Sequence, residues 1–414
     1  MEEKNSEKKE RKMRDSGIPW IGEVPEGWEF SKIKYHCTMK SGDNITALDI
    51  SDNGEYPVYG GNGLRGFYKI YNKNGNHILI GRQGALAGNV HLVNGKFWAT
   101  DHAVIVTLKN DVFINYFFRM LESMNLNQYA FDTAAQPGLS VSRIMNLNIV
   151  LPNLKEQHRI ADFLGSKCSE IDTLIEHLRA RMESAKEYKK AVITEAVTKG
   201  LDKDAKMKDS GVEWIGEIPE GWKVVRFKHI ASIKSNLVQP DKYMKYPQIA
   251  PDNIEKDTGR LLSHQTVEES GVISGNHLFY RGQILYSKIR PNLNKLTVVP
   301  FDGLCSADMY PIESKLPTLF MVYSMLSTYF VSQVSLIIQD RVKMPKINQE
   351  ELGEIKVAVP SQQEMLTIAD YLDSKCSEID ALLQNYEYQI ATLEEYKKSL
   401  IYEYVTGKKE VPEA

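Results

Sequence analysis

The sequence has no apolar run approaching the eighteen or so residues that a membrane-spanning helix needs, and its amino terminus lacks a signal-peptide core. A cytoplasmic chain without a membrane partner is therefore expected. Cysteine is scarce. Cys37, Cys168, Cys305 and Cys376 form no CxxC pair and no Cys/His cluster at zinc-ligand spacing, which argues against a disulfide framework and a structural metal. Reduced, buried thiols are the expected state. A large charge of one sign is missing as well: the net charge is −3, so the chain as a whole is no polycation. There is no P-loop, no HExxH, no GxSxG and no His/Asp/Cys constellation at a useful spacing; Asp101-His102 and Asp252 are isolated polar residues. Gly61-x-Gly63-x-x-Gly66 has the form of a dinucleotide fingerprint, but FYKIYNKNG follows it, a strand and turn where a helix amino terminus would be needed. Neither catalysis by this chain nor a metal or cofactor of its own is expected.

What is present is an ordinary globular composition, 42% hydrophobic and 25% charged over 414 residues, which calls for two or three domains. Residues 1–14 are mixed charge with almost nothing to bury and read as a frayed tail. Lysine and arginine outnumber the acids in residues 29–152 and 223–360, whereas acids dominate residues 361–414. A polyanion could thus be met locally.

The informative feature is a repeat. DSGIPWIGEVPEGW (Asp15–Trp28) returns as DSGVEWIGEIPEGW (Asp209–Trp222), SKCSEIDTLI (Ser166–Ile175) as SKCSEIDALL (Ser374–Leu383), and EYKK at Glu187–Lys190 as EYKK at Glu395–Lys398. The segments enclosed, residues 29–151 and 223–359, share little and differ in length. Two large units with one framework and different contents suggest a scaffold presenting two different surfaces. The expected division is 15–152 and 207–360 for the variable domains with their opening signatures, and 153–206 and 361–414 for the helical regions.

From Lys155 on, and again before the carboxyl terminus, apolar residues alternate steps of four and three: Ile171, Ile175, Leu178, Met182, Ala185, Lys189, Val192, Ala196, and Ile379, Leu383, Tyr386, Ile390, Leu393, Lys397, Leu400, Tyr404. Such a narrow seam must meet a partner helix, and the natural partner of each is the other, antiparallel, about a pseudo-two-fold. Lys189 and Lys397 occupy equivalent seam positions; the favoured reading is that both reach out to solvent, the other that they set register. The signature, with Trp20 and Trp28 in the first copy and Trp214 and Trp222 in the second, is a rigid turn that either offers aromatic anchors to a partner or packs them on its own domain.

The first variable segment reads as strands joined by glycine-rich loops carrying Asn62, Arg65, Arg82, Gln83 and Asn89. Arg pairs bidentately with guanine, and Asn or Gln with adenine, so these side chains suit base edges. The second gathers Lys288, Arg290, Asn292, Asn294 and Lys295 around a proline, followed by Arg341, Lys343 and Lys346. Plain turns and solvated charge remain the other reading of each.

With GIPWIGEVPEGW opening each half, LPNLKEQHRIADFL and VPSQQEMLTIADYLDSKCSEID starting each helix, and YPVYGGNGLRGFY, ILIGRQGALAGNV and ILYSKIRPNLNKL inside the variable domains, nearly the whole chain resembles the specificity subunit of type I restriction–modification systems. The resemblance implies an α/β (α+β) architecture: two mixed target-recognition domains separated by two long helices in an antiparallel coiled coil. It implies a non-catalytic subunit whose domains each read one half of a split, asymmetric double-stranded DNA target while the coiled coil sets the spacer. It further implies two adenine-methylating modification subunits and ATP-dependent restriction subunits as partners, to which S-adenosylmethionine, ATP and Mg²⁺ would belong. A coiled-coil scaffold with two protein-binding domains is the rival.

Overall fold

A computed structural model describes residues 11–84, 87–109, 111–131 and 138–412. It divides into two compact units, Met1–His177 with Tyr388–Ala414, and Leu178–Glu387. Each unit contains one signature, one variable domain and part of each of two long helices.

In the first unit the sheet strands are β1 (Cys37–Ser41), β2 (Tyr56–Gly60), β3 (Gly63–Tyr68), β4 (Lys73–Asn74), β5 (His77–Gly81), β6 (Val90–Val93), β7 (Lys96–Ala99) and β8 (Ala103–Leu108). One antiparallel sheet has the order β1-β8-β5-β6, and the second has the order β3-β2-β7-β4 with β2 and β7 parallel. Alternation along β5 and β8 sorts the core. Ile78, Ile80, Val104 and Val106 face one cluster with Phe117 and Leu121 of the helix Ile114–Ser123, while Leu79 and Ile105 face another with Val93, Phe97 and Ala99. Strands buried on both faces read as apolar runs, which is why HILIG and AVIV carry no polar residue beyond the ends.

The second unit has β9 (Ala231–Ile233), β10 (Leu237–Val238), β11 (Pro247–Ile249), β12 (Gln265–Thr266), β13 (Asn276–Phe279), β14 (Ile284–Ser287), β15 (Leu296–Val298), β16 (Gly303–Cys305) and β17 (Met309–Ser314). Its sheets run β9-β17-β14-β15 and β10-β13-β16-β11-β12, with β11 and β16 parallel. Apart from the extra edge strand β10, this is the topology of the first unit, strand for strand, built from a different sequence. The consecutive apolar helices Thr318–Leu326 and Thr328–Ile338 meet at 59° and bury Phe320, Met321, Tyr329 and Phe330 in this unit's core. Among the described residues no single helix is long and apolar enough to cross a membrane.

Both variable segments begin and end side by side. Glu29–Lys32 pairs antiparallel with Asn148–Leu151, and Lys223–Arg226 with Lys356–Val359. Each domain is thereby inserted through one two-stranded neck between its signature and a long helix.

The long helices are α1 (Leu154–Lys199) and α2 (Gln362–Val405), 46 and 44 residues, or about 69 and 66 Å at 1.5 Å per residue. The expected seam positions are all buried or half-buried. In the first unit Ile171 and Ile175 share a core with Leu400, Ile401, Tyr404 and Val405, and the Phe163 ring lies tilted against Tyr404, centroids 4.6 Å apart. In the second, Val192, Ile193, Ala196 and Val197 share one with Met365, Ile368, Ala369, Leu372 and Cys376. Within each unit the helices run antiparallel: as α1 advances from Phe163 to Asp172, its contacts on α2 recede from Tyr404 to Lys397.

Lys189 and Lys397 do not reach out to solvent. Lys189 is 9% exposed, its ammonium held by Asp380 at 2.7 Å, and Lys397 is held by Asp172 at 2.7 Å. A carboxylate supplied by the facing helix is a better partner for a half-buried cation than partial hydration. Of the expected tail, residues 1–10 lie outside the described residues. Met13–Asp15 forms a strand on Glu23–Pro25, and Arg11 pairs with Glu156 at 2.5 Å. At the α2 start, Met365 is buried apolar where α1 has Gln157, whose amide joins Phe113 N and Pro152 O.

Candidate nucleic-acid interface

In the first unit three loops converge. Tyr59 and Gly60 end β2, and the turn into β3 lies against the end of β5, so that a Cβ on Gly61 would sit 3.2 Å from His102 O and 3.5 Å from Gln83 O. Asn89 Nδ2 donates to Asn62 Oδ1 at 3.3 Å, Arg82 Nη1 to Ser41 Oγ at 3.2 Å, and Arg82 N to His102 O at 2.9 Å. Asn62, Arg65, Arg82, Gln83 and Asn89 are thus brought to one surface, all exposed. Some of the glycines serve internal packing instead: Gly66, at φ +144°, would drive a Cβ to 2.7 Å from Ser51 O.

Two histidines lie beside this surface: His102, set aside in the sequence as an isolated polar residue, and His91, which the sequence did not single out. His102 is half exposed, its Nε2 4.0 Å from Asp101. His91 lies under Gly63, whose Cβ would meet its Cε1 at 3.3 Å; its buried Nε2 has no partner among the described residues, and burial lowers its pKa. Its position next to a glycine turn was the available signal.

In the second unit the Lys288–Lys295 loop is joined to a later one. Arg290 N donates to Pro345 O at 2.8 Å and Ile347 N to Lys288 O at 3.0 Å. This sets Arg341, Lys343 and Lys346 beside Arg290 and Asn292, all exposed, with Lys288 half-buried over the Tyr310 ring at 5.4 Å. The cations differ in what already holds them. Arg341 is paired with Glu351, and Lys346 with Asp308 at 3.1 Å. Arg290 and Lys343 have no acidic partner among the described residues.

Two candidates in this loop work for the fold. Asn294 is 1% exposed and donates to Met325 O at 3.1 Å. Lys295 donates to Pro251 O at 2.8 Å, 3.7 Å from Asp252. Arg290 (φ +43°) and Asn294 (φ +44°) are both left-handed, so the Pro291–Leu293 turn directs these neighbours to opposite environments. His277 on β13 is 6% exposed with an unpartnered Nδ1, and burial first, then the Lys288 charge, lowers its pKa.

The tryptophans split in the same way. Trp28 and Trp222 are 2% exposed, so they are fold anchors and not free docking surfaces. Trp222 donates to Glu364 at 3.0 Å and lies 3.2 Å from where a Cβ on Gly200 would be; Trp28 covers Gly407 equivalently at 2.9 Å. Gly200 (φ +75°) and Gly407 (φ +71°) follow the ends of α1 and α2, where the chain needs a left-handed residue to turn away. Each signature therefore seals the end of a long helix. Trp214 is 43% exposed and Trp20 half-buried.

A serine and a histidine five residues apart do meet an aspartate distant in sequence. Asp111 Oδ2 lies 2.7 Å from His36 Nδ1 and Ser31 Oγ 2.6 Å from His36 Nε2, beside a cleft of about 650 Å³. Ser31 sits inside a strand ladder opposite Ile149, not at the strained turn or helix start that supplies an oxyanion hole. The trio clamps the neck strand to the corner after β8. All four cysteines are buried, and burial pushes the Cys37 thiol up to about 12 and Cys376 to about 11, far from nucleophilic. No group of three or more metal-ligating side chains occurs among the described residues.

Two mixed α/β domains of one topology, each on a two-stranded neck beside the long helices, expose polar and cationic side chains on their loops. Residues 25–183 match the family described as Type I restriction modification DNA specificity domain. The chain is 34% identical over 267 residues to the Type I restriction enzyme EcoDI specificity subunit of Escherichia coli, covering 60% of each protein. It is 28% identical over 423 residues to the Type I restriction enzyme MjaVIII specificity subunit of Methanocaldococcus jannaschii, covering 93% of each. A chain from the structure "Structural basis underlying complex assembly and conformational transition of the type I R-M system" has the same fold, with a TM-score of 0.65 over 93% of this chain and 99% of that one at 15% identity. Over most of its length the chain is thus similar to type I restriction enzyme specificity subunits, and its residues 25–183 carry that family's DNA specificity domain. It spans about 60% of the length of its E. coli relative.

Proposed function

We propose that this chain is a non-catalytic subunit that reads a bipartite, asymmetric sequence in double-stranded DNA, one half-site per variable domain, with α1 and α2 setting the unread spacer. The observation that carries this reading is one sheet topology supporting two unrelated sets of exposed amide and guanidinium loops. A common scaffold fixes where the loops stand, and the loop side chains select bases.

The repeated frame supports docking of the same partner twice. Ser166, Glu170, Glu187 and Tyr188 of the first copy and Ser374, Glu378, Glu395 and Tyr396 of the second are identical pairs, and all eight are exposed. Burial explains repetition of seam residues but not of solvent-facing ones, and two modification subunits bound at equivalent surfaces would. Restriction subunits would join through that assembly in the cytoplasm. S-adenosylmethionine, ATP and Mg²⁺ then serve the partners' chemistry.

Exchanging residues 29–151 for the corresponding domain of another specificity subunit tests the reading, because the Glu29–Lys32 and Asn148–Leu151 neck strands bring both ends of the domain side by side. Sequencing of methylated adenines in the host is expected to show one half-site changed and the other retained. Unchanged methylation sites would overturn the proposal. DNA binding that is absent or insensitive to salt would favour a protein-binding scaffold instead, since phosphate contacts make affinity fall steeply with salt.

A further inference from the structure

The turn Asp340–Lys346 presents an apolar tip in the middle of the second unit's cationic surface. Val342 is 95% exposed and Met344, left-handed at φ +47°, is 53% exposed. A branched apolar side chain almost wholly in water contributes nothing to burial; Arg341 and Lys343 flank it in sequence, and Arg290 joins the same turn at Pro345 O. The turn is also anchored. Arg341 is paired with Glu351 and with its own loop through Lys346 O, Glu351 is tied to Asn348 N at 2.9 Å, Ile289 bridges to Lys346, and Arg290 N reaches Pro345 O at 2.8 Å. The turn's three cations therefore sort by role: Arg341 and Lys346 are held by acids and stiffen the base, whereas Lys343, at the tip, has no acidic partner among the described residues.

We propose that this turn is a DNA-distorting wedge: Val342, backed by Met344, inserts against the base stack of the second half-site while Lys343 and Arg290 hold the flanking phosphates. This rests on the DNA-recognition reading and deepens it. Apolar wedges of this kind unstack a base step and kink the duplex, which adds sequence preference through the deformability of that step. The charge around the tip selects a polyanion over an apolar protein groove, and the rigid base means that little order has to be gained on binding.

The test uses the full chain with duplexes carrying the host sequence it protects most strongly, substituted with 2-aminopurine at successive positions. The expected result is a several-fold rise in fluorescence confined to adjacent positions in one half-site, lost in Val342→Ser at saturating protein, with the salt dependence of binding retained. Lys343→Ala should lower affinity and make the salt slope shallower by about one, leaving the fluorescence rise intact at saturation. Salt-sensitive binding without a rise at any position, or a rise that Val342→Ser preserves, overturns the wedge and leaves DNA recognition standing. Failure of the wild-type chain to bind any duplex in a salt-sensitive way overturns both.

Discussion

Lys189 and Asp380 form a two-oxygen ion pair across the paired helices, both Nζ–O distances being 2.7 Å, and Lys397 repeats it with Asp172. The two pairs lie in different units, each inside one seam, and they join matching residues of the two sequence copies. A register shift by even one turn would leave a cation in an apolar seam.

Lys189→Ala is therefore expected to destabilise the chain by about 1–2 kcal/mol, between an exposed pair and a fully buried one, because the Asp380 side chain keeps 49% exposure. Replacing both residues with leucine should recover most of the loss. A urea midpoint series on the two single variants and the double variant measures the coupling; a single variant indistinguishable from wild type would contradict it.

The tryptophans separate stability from assembly. Trp222→Ala removes a 2%-exposed indole and its bond to Glu364 and should cost about 3–5 kcal/mol. Trp214→Ala, at 43% exposure, should stay within about 0.5 kcal/mol of wild type while weakening co-purification of a partner subunit. Thermal melts and pull-downs on the same preparations distinguish the two effects.

Asn292 and Asn294 make a matched pair two residues apart. Asn294→Ala strands Met325 O and should destabilise by about 1–2 kcal/mol. Asn292→Ala, exposed, should leave the melting temperature unchanged and alter DNA affinity or half-site preference. The reverse pattern would remove Asn292 from the interface.

Acid should destabilise through His91 and His277. Burial lowers both folded-state pKa values below the unfolded value of about 6.5, so the unfolded chain binds protons first. Stability is full above that pH and falls as pH drops through it toward the folded-state values. Melting temperatures from pH 8 to pH 5 should show a smaller acid-side fall in His277→Gln than in wild type; parallel curves would assign the loss to other groups.

The helices and their seam were legible because α-helical periodicity is a local, one-dimensional signal: every residue from Ile171 to Ala196 assigned to the seam is buried or half-buried. The duplicated frame was legible for the same reason, as was the gathering of cations around Pro291. Solvent exposure was not. Whether Asn294 or Asn292 faces water depends on two left-handed residues and a carbonyl on the helix Thr318–Leu326, and no spacing rule contains that.

By itself, then, the sequence determined the two-copy organisation and the paired helices, since repeats and heptads are written along the chain. Tertiary structure decided that two unrelated variable segments share one strand order, that Trp28 and Trp222 seal helix ends, and that Arg290 and Lys343 have no acidic partner among the described residues while Arg341, Lys346 and Lys295 are held. The physical reason is that strand pairing, burial and charge neutralisation are settled between residues far apart in sequence, such as Lys346 and Asp308, where only the folded backbone brings the partners within hydrogen-bond distance.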